Sequence, residues 1–182
     1  MLYCLLARGF EEIEAITTVD ILRRAGIDVQ TVGINSRNGK KVLGAHDMIF
    51  HTDLRQSQIN LMDLDGIILP GGMPGTANLE QSKIVGDLIR FCGNNDKYIF
   101  AICAAPQILG HMGLLKGKKA TCYPGFEGEL MGADYIDAAA VKDGKIITGK
   151  GPGCTVEFAS LIVEIFKGAD VAQKLRDSMQ CP

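Results

Sequence analysis

The sequence has no tryptophan, only three histidines, and few aromatic residues of any kind, 6% in all. The histidines stand at 46, 51 and 111, and none lies at metal-ligand spacing from a cysteine. No two of the six cysteines, at 4, 92, 103, 122, 154 and 181, form a C-x-x-C pair. A zinc ribbon and a dithiol redox motif are therefore absent, and no metal or other cofactor is expected. No apolar run approaches the length that spans a bilayer, so a membrane helix is not expected either. The 19 Lys and Arg are dispersed and outnumbered by 21 Asp and Glu, giving a formal net charge of −2 and a pI of about 5.9. A surface that tracks nucleic-acid phosphates would need a basic cluster that is missing here. The first residues, Met1-Leu2-Tyr3-Cys4-Leu5-Leu6-Ala7-Arg8, have no basic region ahead of their apolar run and read as a strand, not as a signal peptide. A cytoplasmic protein with reduced thiols is expected.

What is present is ordinary globular material: 182 residues, 47% apolar and 22% charged. There is no internal repeat, low-complexity tract or linker, so residues 1–182 are read as one domain. Short apolar runs rich in β-branched residues alternate with helical patterns. Strands are expected over 3–7, 27–34, 65–69, 98–102, 119–122, 135–141 and 145–149, with one or two more within 42–51 as an excursion at the sheet edge. Helices are expected over 11–25, with Ile13, Ile16, Val19 and Leu22 on its apolar face, and over 78–91, 105–112, 155–166 and 169–178. Asn38-Gly39 and Asp143-Gly144 read as hairpin turns. The alternation implies an α/β fold, a mostly parallel sheet with helices on both faces and a small antiparallel edge hairpin. Ligands of such sheets gather at the carboxyl ends of the strands.

Two strand ends carry chemistry. In Leu69-Pro70-Gly71-Gly72-Met73-Pro74-Gly75 the glycines allow backbone conformations in which successive N–H groups converge on an anion or a developing oxyanion. A tight βα turn with no ligand uses the same residues. The string is neither a Walker loop nor G-x-G-x-x-G, which argues against nucleotide binding. The second strand end is Tyr98-Ile99-Phe100-Ala101-Ile102-Cys103-Ala104-Ala105-Pro106. An apolar strand runs directly into a cysteine, followed by small residues and a proline suited to a first helical turn. That order matches a nucleophile elbow, and a helix N-terminus beside the sulfur favours thiolate. A lone cysteine is most often a buried hydrophobe, and it is the elbow context that singles out Cys103. No histidine lies next to Cys103 in sequence, so a Cys–His dyad has no positive support. Glu11-Glu12-Ile13-Glu14 opens the first helix, where acids complement the dipole, and sequence alone gives Glu14 a solvated role.

Taken in register, Gly9-Phe10-Glu11-Glu12-Ile13-Glu14, Val19-Asp20-Ile21-Leu22-Arg23-Arg24-Ala25-Gly26, Leu69-Pro70-Gly71-Gly72, Ala101-Ile102-Cys103-Ala104 and Gly151-Pro152-Gly153 resemble the ThiJ/PfpI superfamily over essentially the whole chain. The nearest branch is that of the parkinsonism-associated protein deglycase and its bacterial relatives. The resemblance implies a flavodoxin-like sandwich, a homodimer, and Cys103 as a nucleophilic, redox-sensitive thiol. It further implies Glu14 as a protonated partner of the sulfur, with oxyanion donors from Gly71, Gly72 and Ala104. Tyr123 stands where the branch often has histidine, and Met73 where it often has asparagine. Arg24 is a retained pocket arginine, and His46 replaces one supplied by the dimer partner. Ala104 follows the nucleophile where the protease branch has histidine, which argues against peptidase activity.

The expected function is cysteine-dependent and cofactor-free chemistry on reactive dicarbonyls, of glyoxalase or deglycase type (methylglyoxal to lactate), with protection against oxidative stress. The alternative is a redox-sensing chaperone that uses oxidation of Cys103.

Overall fold

Along β1 (Leu2–Leu6) every residue is buried, yet the side chains divide by parity. Tyr3 and Leu5 enter one apolar cluster, while Leu2, Cys4 and Leu6 enter another. This period of two is what a strand covered on both faces requires. The computed structural model describes residues 1–36 and 39–181. After β1 come α1 (Glu12–Arg24), β2 (Val29–Gly33), β3 (Lys41–Leu43), β4 (Ile49–His51), β5 (Leu54–Arg55) and β6 (Gly66–Leu69). The chain continues through α2 (Gly75–Glu80), α3 (Lys83–Asn94), β7 (Tyr98–Ile102), α4 (Pro106–His111), β8 (Lys119–Ala120) and β9 (Asp134–Tyr135). It closes with β10 (Ala140–Asp143), β11 (Ile146–Gly149), α5 (Thr155–Lys167) and α6 (Ala169–Ser178).

Seven strands form one sheet in the order β10-β11-β7-β6-β1-β2-β5, parallel throughout except for β10, which pairs antiparallel with β11 across Asp143-Gly144. Residues from α2, α3 and α4 cover one face and residues from α1, α5 and α6 the other. This is the mostly parallel sheet, covered on both faces and carrying a small antiparallel hairpin, that the alternation implies, and the flavodoxin-like sandwich that the resemblance implies. The chain runs from β1 outward to β2 on one side and later to β6 on the other, so the topological switch lies between β1 and β6. The crevice of such a sheet opens there, at the carboxyl ends.

Several local expectations are corrected. The helix expected over 78–91 is two helices, α2 and α3, because Ser82 takes extended backbone (φ −81°, ψ 116°) at the start of α3. The stretch 42–51 is a separate ribbon in which β3 and β4 pair with each other; β5 occupies the sheet edge instead. The Asn38-Gly39 hairpin falls partly outside the described residues, and β2 and β3 are not paired. β8 pairs with β9 in a second small ribbon, and β10 begins only at Ala140. On α1, Ile13 and Ile16 are exposed (55% and 40%), whereas Glu12, Glu14, Ala15 and Thr18 are buried together with Val19 and Leu22. The turn after β6 packs over Glu14 and residues 44–46 over Glu12, so the first turn of α1 buries a face that spacing does not select, while Val19 and Leu22 stay buried further along.

Phe158 of α5 is fully buried against the sheet, and its ring lies so close to Gly149 that a Cβ there would meet it at 2.9 Å. Phe158→Ala is expected to cost about 3–5 kcal/mol in urea unfolding, the range for an aromatic cavity in a packed core.

Candidate functional site

Four segments meet at the carboxyl edge of the sheet: 7–11 after β1, 70–75 after β6, Cys103 after β7, and 150–151 after β11. The backbone sews them together. Glu11 N–H donates to Gly71 O at 3.0 Å, Gly75 N–H to Gly9 O at 3.0 Å, and Cys103 N–H to Gly149 O at 2.9 Å. The contact of 9–11 with 71–75 is too tight for side chains. A Cβ on Gly72, which has φ +88°, would lie 2.5 Å from Glu11 N.

Cys103 has φ +66°, in the left-handed region that a residue bearing a Cβ enters only under constraint. The turn lifts its side chain off β7 toward Gly71, where a Cβ would approach the Cys103 Cβ to 2.6 Å and Glu14 Oε2 to 2.9 Å. Gly71 is therefore the gap through which the thiol and the carboxyl face each other. The N–H groups of Gly72 and Ala104 are directed at the sulfur. α4, which follows, has only six residues, so its dipole contributes less than the elbow pattern suggests.

Glu14 is 1% exposed. Its Oε2 accepts the Gly71 N–H at 2.7 Å, while Oε1 is buried with no nitrogen or oxygen partner. Burial pushes the carboxyl up to about 7, against hydrogen bonds with Cys103 and the Gly71 amide; the charge of Glu11 adds to the rise. Burial also raises the Cys103 thiol, and an ionised Glu14 raises it further, while the Gly72 and Ala104 amides pull the other way. Two acids in one buried site resist holding two charges, so the pair retains one proton over a wide pH range. Burial holds the thiols of Cys4 and Cys92 up at about 12 and that of Cys122 at about 11.

The structure brings Cys103, Glu14, Gly71, Gly72 and Ala104 together. Tyr123 joins them through its backbone, donating its N–H to Cys103 O at 2.8 Å, and its ring, 44% exposed, lies against Gly151. His46 sits at the rim: its N–H donates to Glu12 Oε1 at 2.8 Å, and its Nδ1 meets Glu12 Oε2 at 2.9 Å and Glu11 Oε2 at 3.6 Å. The hydrogen bond to Glu12 raises the His46 pKa. Despite the cost of burial, hydrogen bonds from His46 hold the Glu12 carboxyl below its ordinary value. Glu11, Glu12 and His46 bring their donor atoms within 4.8 Å of one another, a spacing a cation could use, although Nδ1 is already engaged by Glu12. Arg24 is in the last turn of α1, paired with Asp20 at 2.6 Å. Ten residues of helix, about 15 Å, separate it from Glu14, so within one chain it does not reach the thiol. Gly149, whose carbonyl accepts the Cys103 N–H, has one signal in the sequence, its place at the end of an apolar strand.

Comparison with known proteins places this geometry. The model of the DJ-1/PfpI family matches residues 2–165. Protein dj-1beta of Drosophila melanogaster is 39% identical over 173 residues, covering 94% of this chain and 91% of that protein. Its crystal structure superposes with a TM-score of 0.92 over 100% of this chain and 97% of that one. A Caenorhabditis elegans protein named glutathione-independent glyoxalase DJR-1.2 is 33% identical, covering 91% of this chain and 87% of its own. The structure of Toxoplasma gondii DJ-1, described as oxidized, is 29% identical, with a TM-score of 0.93 over 99% of this chain and 97% of that one.

Proposed function

The chain belongs to the DJ-1/PfpI family, and from that premise we propose that it is a cofactor-free enzyme that uses Cys103 to convert small 2-oxoaldehydes, methylglyoxal among them, into 2-hydroxy acids. The observation that carries this reading is the buried Glu14 carboxyl, with a rest pKa of about 7 and one unpartnered oxygen, held beside a thiol that faces two amide N–H groups. With the proton on Glu14, charge on the sulfur faces an O–H donor and the amides of Gly72 and Ala104.

The Cys103 sulfur adds to the aldehyde carbon, and the carbonyl electron pair becomes an alkoxide, which the Gly72 N–H receives, the Gly71 N–H being held by Glu14, before it takes the Glu14 proton. The Glu14 carboxylate then removes the hydrogen of that carbon as a proton. The freed electron pair makes a carbon–carbon double bond, and the neighbouring ketone oxygen takes the proton of the adjacent hydroxyl. Glu14 returns its proton to the neighbouring carbon, and the first carbon becomes a thioester carbonyl. Water attacks it, the carbon–sulfur bond breaks, and the hydroxy acid leaves with Cys103 restored. One carbon is oxidised as its neighbour is reduced, so the net change is addition of water and no outside oxidant is needed.

Lactate formation from methylglyoxal by the purified protein is the test. Cys103→Ser is expected to fall to background, and exhaustive chelation to leave the wild-type rate unchanged. Equal turnover by wild type and Cys103→Ser overturns the reading. The redox reading has its own support in the oxidized state described for the Toxoplasma gondii neighbour. Intact mass after mild peroxide separates the two, since selective oxidation of Cys103 without turnover favours a sensor.

The same reading takes the protein as a single-domain, cytoplasmic homodimer. No helix among the described residues is long and apolar enough to cross a membrane. The exposed Ile13 and Ile16 of α1, with Met48 and Ile49 (57% and 67%) on the neighbouring ribbon, are apolar surface that a second copy would cover. Arg24 and His46 would then line the pocket from the partner.

A further inference from the structure

Each of three segments that carry the site ends on the same histidine. The glycine turn leads into α2, whose last residue is Glu80; Cys103 leads into α4, whose last residue is His111; Tyr123 leads into a 3-10 turn that ends at Glu129. His111 Nδ1 lies 2.5 Å from Glu80 Oε1, and Nε2 lies 2.8 Å from Glu129 Oε2. We propose that His111 is a positioning residue: as an imidazolium it clamps the segments bearing Gly71–Gly72, Cys103 and Tyr123, and it releases one of them when it loses its proton.

Ionised carboxylate oxygens only accept hydrogen bonds, and a neutral imidazole has a single N–H to give. Two carboxylates on opposite nitrogens therefore require both nitrogens to donate, which is the charged form. Above its titration the ring serves one partner and presents a lone pair to the other. The joint it spans is already close: a Cβ on Gly110 would lie 2.1 Å from Glu129 O, so α4 and the 129–131 backbone are at contact distance. Gln107, one turn earlier on α4, reaches Glu80 Oε2 at 3.4 Å and reinforces the α2 side without adding charge. The charged groups facing the ring are Glu80 from α2 and Glu129 from the 3-10 turn, and their hydrogen bonds raise the pKa of His111. The side chain is 30% exposed, so protons reach it from solvent. The sign follows. A histidine whose folded pKa is raised gives stabilisation that is complete below its unfolded pKa of about 6.5 and is lost as pH rises through the folded value. The clamp is closed near pH 6 and loosens as the pH rises through the raised value of His111.

This inference rests on the reading of Cys103 as the working thiol, and its test separates the two. In the full-length protein, NMR titration of the His111 ring is expected to give a midpoint above 6.5, displaced downward in Glu80→Gln and in Glu129→Gln. The rate of Cys103 alkylation by iodoacetamide is expected to show an inflection at the same midpoint, of about two- to tenfold, the low end of the coupling seen between residues linked through a backbone shift. His111→Gln is expected to lose that inflection while keeping a cooperative thermal transition. Glu129→Gln, which leaves the ring in place, is expected to weaken it. A ring midpoint at or below 6.5 overturns the clamp. So does an alkylation profile that is unchanged in both His111→Gln and Glu129→Gln. Absence of lactate production in every protein, with the inflection present in the wild type and lost in His111→Gln, would remove the enzymatic reading and leave the clamp standing.

Discussion

Glu14→Gln is expected to yield a protein that has lost about two to four orders of magnitude in lactate formation and yet, above pH 7, is more stable than its parent. Both effects come from the same carboxyl. Glutamine keeps an acceptor for the Gly71 N–H but cannot carry a proton between substrate carbons. The stability gain follows from linkage. Burial raises Glu14 from 4.5 to about 7, so the folded protein holds the proton more tightly than the unfolded chain does. The stabilisation is complete below about pH 4.5 and drains away as pH rises through about 7. A displacement of about 2.5 pH units corresponds to roughly 3 kcal/mol. Glutamine has no such titration. Urea unfolding of both proteins at pH 5 and pH 8.5 checks this: the stability difference should move in favour of the variant by roughly 2.5 kcal/mol, since part of the linkage lies below pH 5. A difference that is the same at both pH values would show that Glu14 is not the buried titrating acid.

Gly71→Ala is expected to be nearly as damaging to turnover, with a fold that survives. Its Cβ would meet Cys103 Cβ at 2.6 Å, Glu14 Oε2 at 2.9 Å and Ile102 O at 3.0 Å. Cys103 Cβ and Ile102 O move only with the backbone, and Glu14 Oε2, though the end of its side chain, is pinned by the Gly71 N–H, so the methyl must push the thiol and carboxyl apart. Overpacking of this kind costs about 1–3 kcal/mol, and displacing reacting groups by about 1 Å costs about a hundredfold in rate. Gly26→Ala is the control. That glycine also has a positive φ, +66°, but nothing lies within 4 Å of the added methyl. It is expected to lose only about 1 kcal/mol, the cost of the backbone conformation, and to turn over normally. If both variants lose activity alike, crowding at the 71–72 turn is not the cause.

The sheet is legible in the sequence because its strands are buried on both faces and stand out as apolar runs of four or five residues between glycines and charged loops. The elbow is legible for the same reason: five apolar residues end abruptly on Cys103, and the structure has the left-handed turn that this ending anticipates. The helix that holds Glu14 misleads. Spacing selects Ile13 and Ile16 as inward-facing, but the buried face at that end is made by Glu12, Glu14 and Ala15, because the turn after β6 closes over Glu14 and residues 44–46 close over Glu12. Periodicity registers only the pattern within the helix and not what is laid across it. Glu14 thus emerges from resemblance and from geometry, and not from pattern. The break at Ser82 is invisible for a related reason, since apolar spacing continues across it while the backbone turns. His111 reads as a surface residue in sequence, because its two partners lie 31 and 18 positions away.

The strand order has a consequence for how the site comes into being. Glu14, Gly71 and Cys103 are brought together by pairings between strands far apart in the chain, and parallel pairings of this kind form late and slowly. Until they close, Cys103 is one of six equivalent thiols in a flexible chain, with no carboxyl beside it and no amide cradle. Its chemical individuality is thus a property of the finished sheet. The ratio of label on Cys103 to label on its five siblings would report, during refolding, the moment at which β6 and β7 dock beside β1.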